Sequence, residues 1–158
     1  MDGSGRNADY REDPNRAVYL LGEINPGLVE KLTPQINVLR LSSATPITAY
    51  IDSQGGDVWA AENIRSLLQA PNPDGAKCRL ITVVTGSAAS VAADFLALGD
   101  YAIAYSHSYI MVSLCRILQS ADYWFAPEEA YWLGLVDEVP GSDLPSQRQF
   151  VEGQTHTG

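Results

Sequence analysis

Residues 83–97 read VVTGSAASVAADFLA. The segment opens on β-branched residues suited to a pleated strand, crosses Gly86 and a run of small side chains, and ends in an apolar pattern of helical character. A strand that feeds straight into a helix is the building unit of an α/β layered fold. Two serines, Ser87 and Ser90, sit at this crowded junction. Either close packing needs small side chains there, or one hydroxyl is meant for chemistry.

The pattern repeats on both sides of that stretch. Residues 17–24 (AVYLLGEI) read as a buried strand, and Asn25-Pro26 supplies an N-cap and a first helical residue. Leu28, Leu32, Ile36 and Leu39 follow at helical spacing, with Pro34 expected to kink this helix or delay its start. Residues 47–52 (ITAYID) form a second strand, Gln54-Gly55-Gly56 a sharp turn, and Val58, Ala61, Ile64, Leu67 and Leu68 one face of a second helix. Residues 79–85 are a third strand that leads into the opening stretch. Further strands are predicted at 101–105, 109–112 and 135–139, with a short helix at 127–133 that Gly134 ends. Short connections between alternating strands and helices predict parallel βαβ units and a mostly parallel sheet.

Composition bounds the rest. The chain has 158 residues, enough for one domain with a proper core, and 46% hydrophobic residues against 18% charged. A formal net charge of −9 argues against a nucleic-acid partner held by a basic surface. Cys78 and Cys115 stand in unrelated contexts and suggest neither a disulfide framework nor a metal site. The polar start carries no signal-peptide core, and Asp94 and Asp100 interrupt the longest weakly polar stretch, so no membrane span is expected and the cytoplasm is the expected compartment. Residues 1–15 and 140–158 read as flexible ends around a domain at 16–139.

Two turns, SQGGD at 53–57 and TGSAAS at 85–90, fall at the carboxyl ends of adjacent strands, where α/β folds place their ligands. A Gly-Gly turn opening a helix offers backbone N–H groups to an oxyanion, and a serine at the start of the next helix could present its hydroxyl to the same spot. Taken alone, each turn is more simply a turn and a packing junction; together they suggest a site.

The same segments carry a family resemblance. YIDSQGGDVWAAENIRSLL resembles the Gly-Gly segment of the caseinolytic Clp protease proteolytic subunit, and VVTGSAASVAADFLALGD resembles the segment around its nucleophile. RAVYLLGEI, YSHSYIMV and APEEAYWLGLVDEV match further landmarks in the right order from Arg16 to Val139. The resemblance implies the Clp/crotonase layered fold, with Ser90 as nucleophile and the N–H groups of Gly56 and Val91 as the oxyanion hole. It implies Asp122 as the acid, when the chain is matched without gaps back from Gly134-Leu135-Val136-Asp137. Ser87 then takes a variable position and a structural role, and is the alternative nucleophile. No cofactor or metal is implied.

The family's histidine is missing from its place. It should follow the strand at 109–112, where this chain has Ser113. His107 lies six residues earlier, roughly 20 Å away along a strand, and His156 is in the tail. Two explanations compete: loss of the base, leaving a non-catalytic subunit, or a segment omitted between Val112 and Ser113 where the family carries its handle region. Leu114, Ile117, Leu118 and Ala121 make a helical face that resembles the end of a handle helix, and no connector separates it from the strand. An omitted segment, with a break between Val112 and Ser113, is therefore the expectation.

The resemblance further implies a serine peptidase that cleaves unfolded polypeptides inside a homo-oligomer of heptameric rings fed by an ATP-dependent unfoldase chaperone. A signal-peptide-peptidase-like protease would need a lysine base, and Lys31 and Lys77 are poorly placed for it. Crotonases share the fold, but the Ala-Ala-Ser run favours the proteases. The alternative of a different class is a structural or regulatory ring subunit.

Overall fold

The computed structural model describes residues 10–113 and 122–146. Six strands form one sheet: β1 (Ala17–Ile24), β2 (Ile47–Gly56), β3 (Leu80–Ala89), β4 (Tyr101–Ala104), β5 (Tyr109–Ser113) and β6 (Asp122–Phe125). Their order is β1-β2-β3-β5-β6, with β4 also paired to β3. All pairs are parallel except β5 with β6. The long β3 serves two neighbours in succession. Its first half pairs with β4 from Ile81 to Val84, and its second half with β5 from Ser87 to Ala89. That hand-over carries β3 past the body of the sheet and out to the junction with Ser90.

Helices α1 (Pro26–Ser42) and α2 (Val58–Gln69) cover one face. Leu28, Leu32, Ile36, Ile64 and Leu68 bury against Val18, Leu20, Ala49 and Ile51, the inward side of the period-2 alternation. On the opposite face Tyr50, Ile81, Val83, Tyr101 and Ile103 form a smaller cluster. Tyr10 stacks on Tyr101 at 4.9 Å between ring centres, and the Glu12 carboxylate accepts from the hydroxyls of Tyr50 and Tyr105 at 3.0 and 2.8 Å. Burial and then the Glu12 carboxylate push the Tyr50 hydroxyl pKa upward. Arg16 fastens the start of β1 by donating to the carbonyls of Leu39, Thr45 and Pro46.

Several elements differ from expectation. Pro34 neither delays nor divides α1, which starts at Pro26 with Asn25 as its cap. Gln54-Gly55-Gly56 is no sharp turn: β2 continues through it, with Glu23 opposite Gly55 and Ile24 opposite Gly56. Positive φ values of 94° and 150° at the two glycines make that continuation possible. The third helix is delayed. Ser90–Ala92 forms a single 3-10 turn, and α3 is the short Asp94–Leu98. The strand predicted at 135–139 shrinks to one bridge between Ile103 and Glu138, because β4 offers only four residues and Asp137 spends its carboxylate on the amide of Ala102. The helix predicted at 127–133 is present as α4 (Pro127–Trp132).

The break expected between Val112 and Ser113 is not there. β5 runs across both residues, which pair with Tyr123 and Asp122 of β6. The strand does not end at Val112 because β6, which the sequence pattern did not predict, gives it a partner to continue against. The helical face proposed for Leu114, Ile117, Leu118 and Ala121 lies outside the described residues, as does His156.

Candidate active site

The site is built where β2 and β3 end side by side. At Ser90 the extended backbone of β3 turns abruptly, with φ at 55°, and among the described residues Ser90 is the one non-glycine with positive φ. A left-handed non-glycine costs about 1–2 kcal/mol and persists only when its surroundings impose it. Here the surroundings are visible. A Cβ built on Gly55 would stand 2.7 Å from the carbonyl oxygen of Ala89, 3.0 Å from the Ser90 Cβ and 3.5 Å from the Val91 nitrogen. Gly55 is therefore the floor on which the elbow rests, and only a residue without a side chain fits beneath it. The Gly55 amide is in turn held by the buried Ser53 hydroxyl at 3.0 Å.

Gly56, the expected oxyanion donor, lies one residue further on and is exposed. A Cβ there would drive into the carbonyl oxygen of Ile24. This corrects the reason for a glycine at that position: β1 already excludes a side chain, whatever a substrate requires. Gly56→Ala is expected to destabilise the fold by about 1–3 kcal/mol from backbone conformation alone, to be read as a lowered thermal midpoint. An unchanged midpoint would contradict this packing. The start of α2 is capped by the Asp57 carboxylate, which accepts from the Ala60 amide at 2.7 Å.

The sheet also sets the places of residue 113 and Asp122. Ala89 of β3 pairs with Met111 of β5, so Ser113 lies two residues beyond that pair, alongside the elbow. Asp122 of β6 is directly opposite Ser113. The backbone register thus puts residue 113 between the end of β3 and Asp122, the three positions to which the sequence resemblance gives the nucleophile, the histidine and the acid. His107, in contrast, is exposed in the turn that precedes β5, at the opposite end of that strand from Ser113. Lys31 is on α1 and Lys77 precedes β3, so neither joins the site.

Sequence reasoning missed the contacts beneath the elbow. Ser87 was read as a structural residue, without a partner. Its amide and its hydroxyl both donate to Oδ1 of Asp52, at 2.9 and 3.1 Å, and its hydroxyl accepts from the Gln54 side-chain amide at 2.8 Å. Asp94, on the far side of Val91, has its carboxyl held above the ordinary value by burial and then by the charge of Glu62, with Arg65 opposing. Among the described residues no group of three or more metal-ligating side chains converges, and no helix is long and apolar enough to cross a membrane.

This arrangement has known counterparts. The Clp protease family model matches residues 9–119, more than two thirds of the chain; Asp122 falls just beyond it. The "ATP-dependent Clp protease proteolytic subunit 3" proteins of Synechococcus sp. (strain CC9605), Synechococcus sp. (strain CC9902) and Parasynechococcus marenigrum (strain WH8102) are each 35% identical over 100 residues, covering 61% of this chain and 48% of theirs. The chain thus matches about half the length of these curated relatives. A ClpP1 mutant structure from Listeria monocytogenes superposes with a TM-score of 0.69 at 22% identity, over 81% of this chain and 92% of that one, a likeness of fold. With the family model spanning the sheet from β1 to the Ser90 elbow and on through β5, the chain belongs to the Clp protease family.

Proposed function

We propose that the chain is a serine-peptidase subunit of the Clp type, with Ser90 as nucleophile. The observation that carries this reading is the strained backbone of Ser90, held by Gly55 at the tip of β3. Packing alone would be served as well by glycine at φ 55°, so strain retained at a serine points to its hydroxyl. In the proposed reaction the Ser90 hydroxyl gives up its proton as Oγ bonds to a peptide carbonyl carbon, and the resulting oxyanion is taken by the amides of Gly56 and Val91. The C–N bond then breaks, the amine leaves with the proton that Ser90 gave up, and water adds across the acyl ester, releasing the carboxylic acid and restoring the serine hydroxyl. The substrates are polypeptides in extended form. An oligomeric ring and an ATP-driven unfolding partner are part of the proposal, supported by the relatives' description as ATP-dependent proteolytic subunits. A cytoplasmic setting belongs to it as well.

One observation favours a second reading, a non-catalytic ring subunit: the position opposite Asp122 is a serine, which cannot act as the general base. A fluorophosphonate probe separates the two. Labelling of the purified assembly that maps to Ser90, and disappears in Ser90→Ala, supports the peptidase. Absence of labelling at any serine supports the ring subunit.

A further inference from the structure

The pairing of β2 with β3 is interrupted at the level of the site. From Ile51 to Ser53 β2 advances two residues, while its partner advances four, from Val84 to Ala88. Two extra residues are thus accommodated within 85–87, and such a bulge must be held by something other than the regular ladder. Asp52 holds it. Its Oδ1 takes both the amide and the hydroxyl of Ser87, and Thr85 Oγ1 donates to the Ile51 carbonyl at 3.3 Å. Gly86 makes room, since a Cβ there would stand 2.5–2.9 Å from the Asp52 carboxylate. From the same Ser87 hydroxyl the chain of bonds returns to Gln54, the residue directly before Gly55 and Gly56.

We propose that Asp52, Ser87 and Gln54 form a positioning strut that fixes the separation between the Gly55-Gly56 segment and the Ser90 elbow. The Ser87 hydroxyl is its centre, donating to one residue of β2 and accepting from another two positions along. None of the three is assigned contact with substrate. Their effect runs through the register of the two strand ends, where a displacement near 1 Å between nucleophile and oxyanion donors costs about a hundredfold in rate. The inference rests on the reading of Ser90 as nucleophile and deepens it.

The test uses the full chain in its purified assembly and two measurements. The first is the second-order rate of fluorophosphonate labelling at Ser90, with the site mapped by mass spectrometry. The second is amide hydrogen exchange in peptides spanning 53–58 and 88–93. Ser87→Ala is expected to slow labelling about tenfold to a hundredfold and to speed exchange in both peptides together. Ser87→Thr, which keeps the hydroxyl, restores both. Gln54→Ala and Ser87→Ala combined cost less than the product of their separate effects, because they break the same chain of bonds. Labelling that maps to Ser87 overturns the strut, as do parental labelling and exchange in Ser87→Ala, or changed exchange in the 88–93 peptide alone. If the parent chain is not labelled at all, the nucleophile reading fails, and exchange in the two peptides still decides the strut.

Discussion

Ser113→His is expected to raise the rates of fluorophosphonate labelling and of peptide cleavage by about a hundredfold to ten-thousandfold over the parent chain, the range a positioned general base supplies. The reasoning follows the sheet. The Ala89–Met111 pair fixes β5 against β3, so residue 113 lies beside the elbow that begins at Ser90. Asp122 is opposite residue 113 across the antiparallel pair and is the acid expected to orient the imidazole. By backbone register, residue 113 thus lies between the end of β3 and Asp122 of β6. Asp122→Asn in the Ser113→His background should remove most of the gain while leaving the thermal midpoint in place. A histidine variant that folds and assembles yet labels no faster than the parent would count against both assignments, and would favour the non-catalytic ring subunit.

The second large effect concerns Ser90 itself, where function and stability part company. Ser90→Ala and Ser90→Gly should both lose labelling completely, since neither has a hydroxyl. Their stabilities should differ. Alanine inherits the left-handed backbone with its penalty of about 1–2 kcal/mol, whereas glycine adopts φ 55° without it. Ser90→Gly is therefore expected to melt higher than Ser90→Ala, and to match or exceed the parent, with the gain reduced by the entropy that glycine adds to the unfolded chain. Equal midpoints for the two variants would mean that the elbow is unstrained in solution, and the principal support for Ser90 as nucleophile would go with it.

Much of the architecture was legible because local propensity and tertiary role agree. The apolar run that begins β1, the β-branched starts of β2 and β3 and the apolar spacing of α1 and α2 are patterns that a single sequence carries. Failures cluster where the two diverge. Gly55, Gly56 and the Ser-Ala-Ala run have poor strand propensity, yet they extend β2 and β3 because their small size lets backbones approach closely. β6 went unpredicted, and with it the continuation of β5 through Ser113, because strand pairing across a gap in the pattern has no local signal. In the site, Ser90 could be singled out at its strand-to-helix junction. The contact between Asp52 and Ser87 could not, since it joins residues 35 positions apart. Nor does any sequence pattern announce that a serine will be held at positive φ.

The two residues that β3 gains over β2 also decide the level at which the elbow leaves the sheet. In a ladder unbroken from Ile51 and Val84, Ala88 would stand opposite Gly55; the bulge sets it opposite Ser53 instead. The extra residues are absorbed between the strands, and the elbow is drawn back along β2 by about 7 Å. That is the level at which Ala89, Ser90 and Val91 meet Gly55. A β3 that ran on without the bulge would carry Ser90 two residues past the glycines, and the hydroxyl and the oxyanion donors would no longer face one substrate bond.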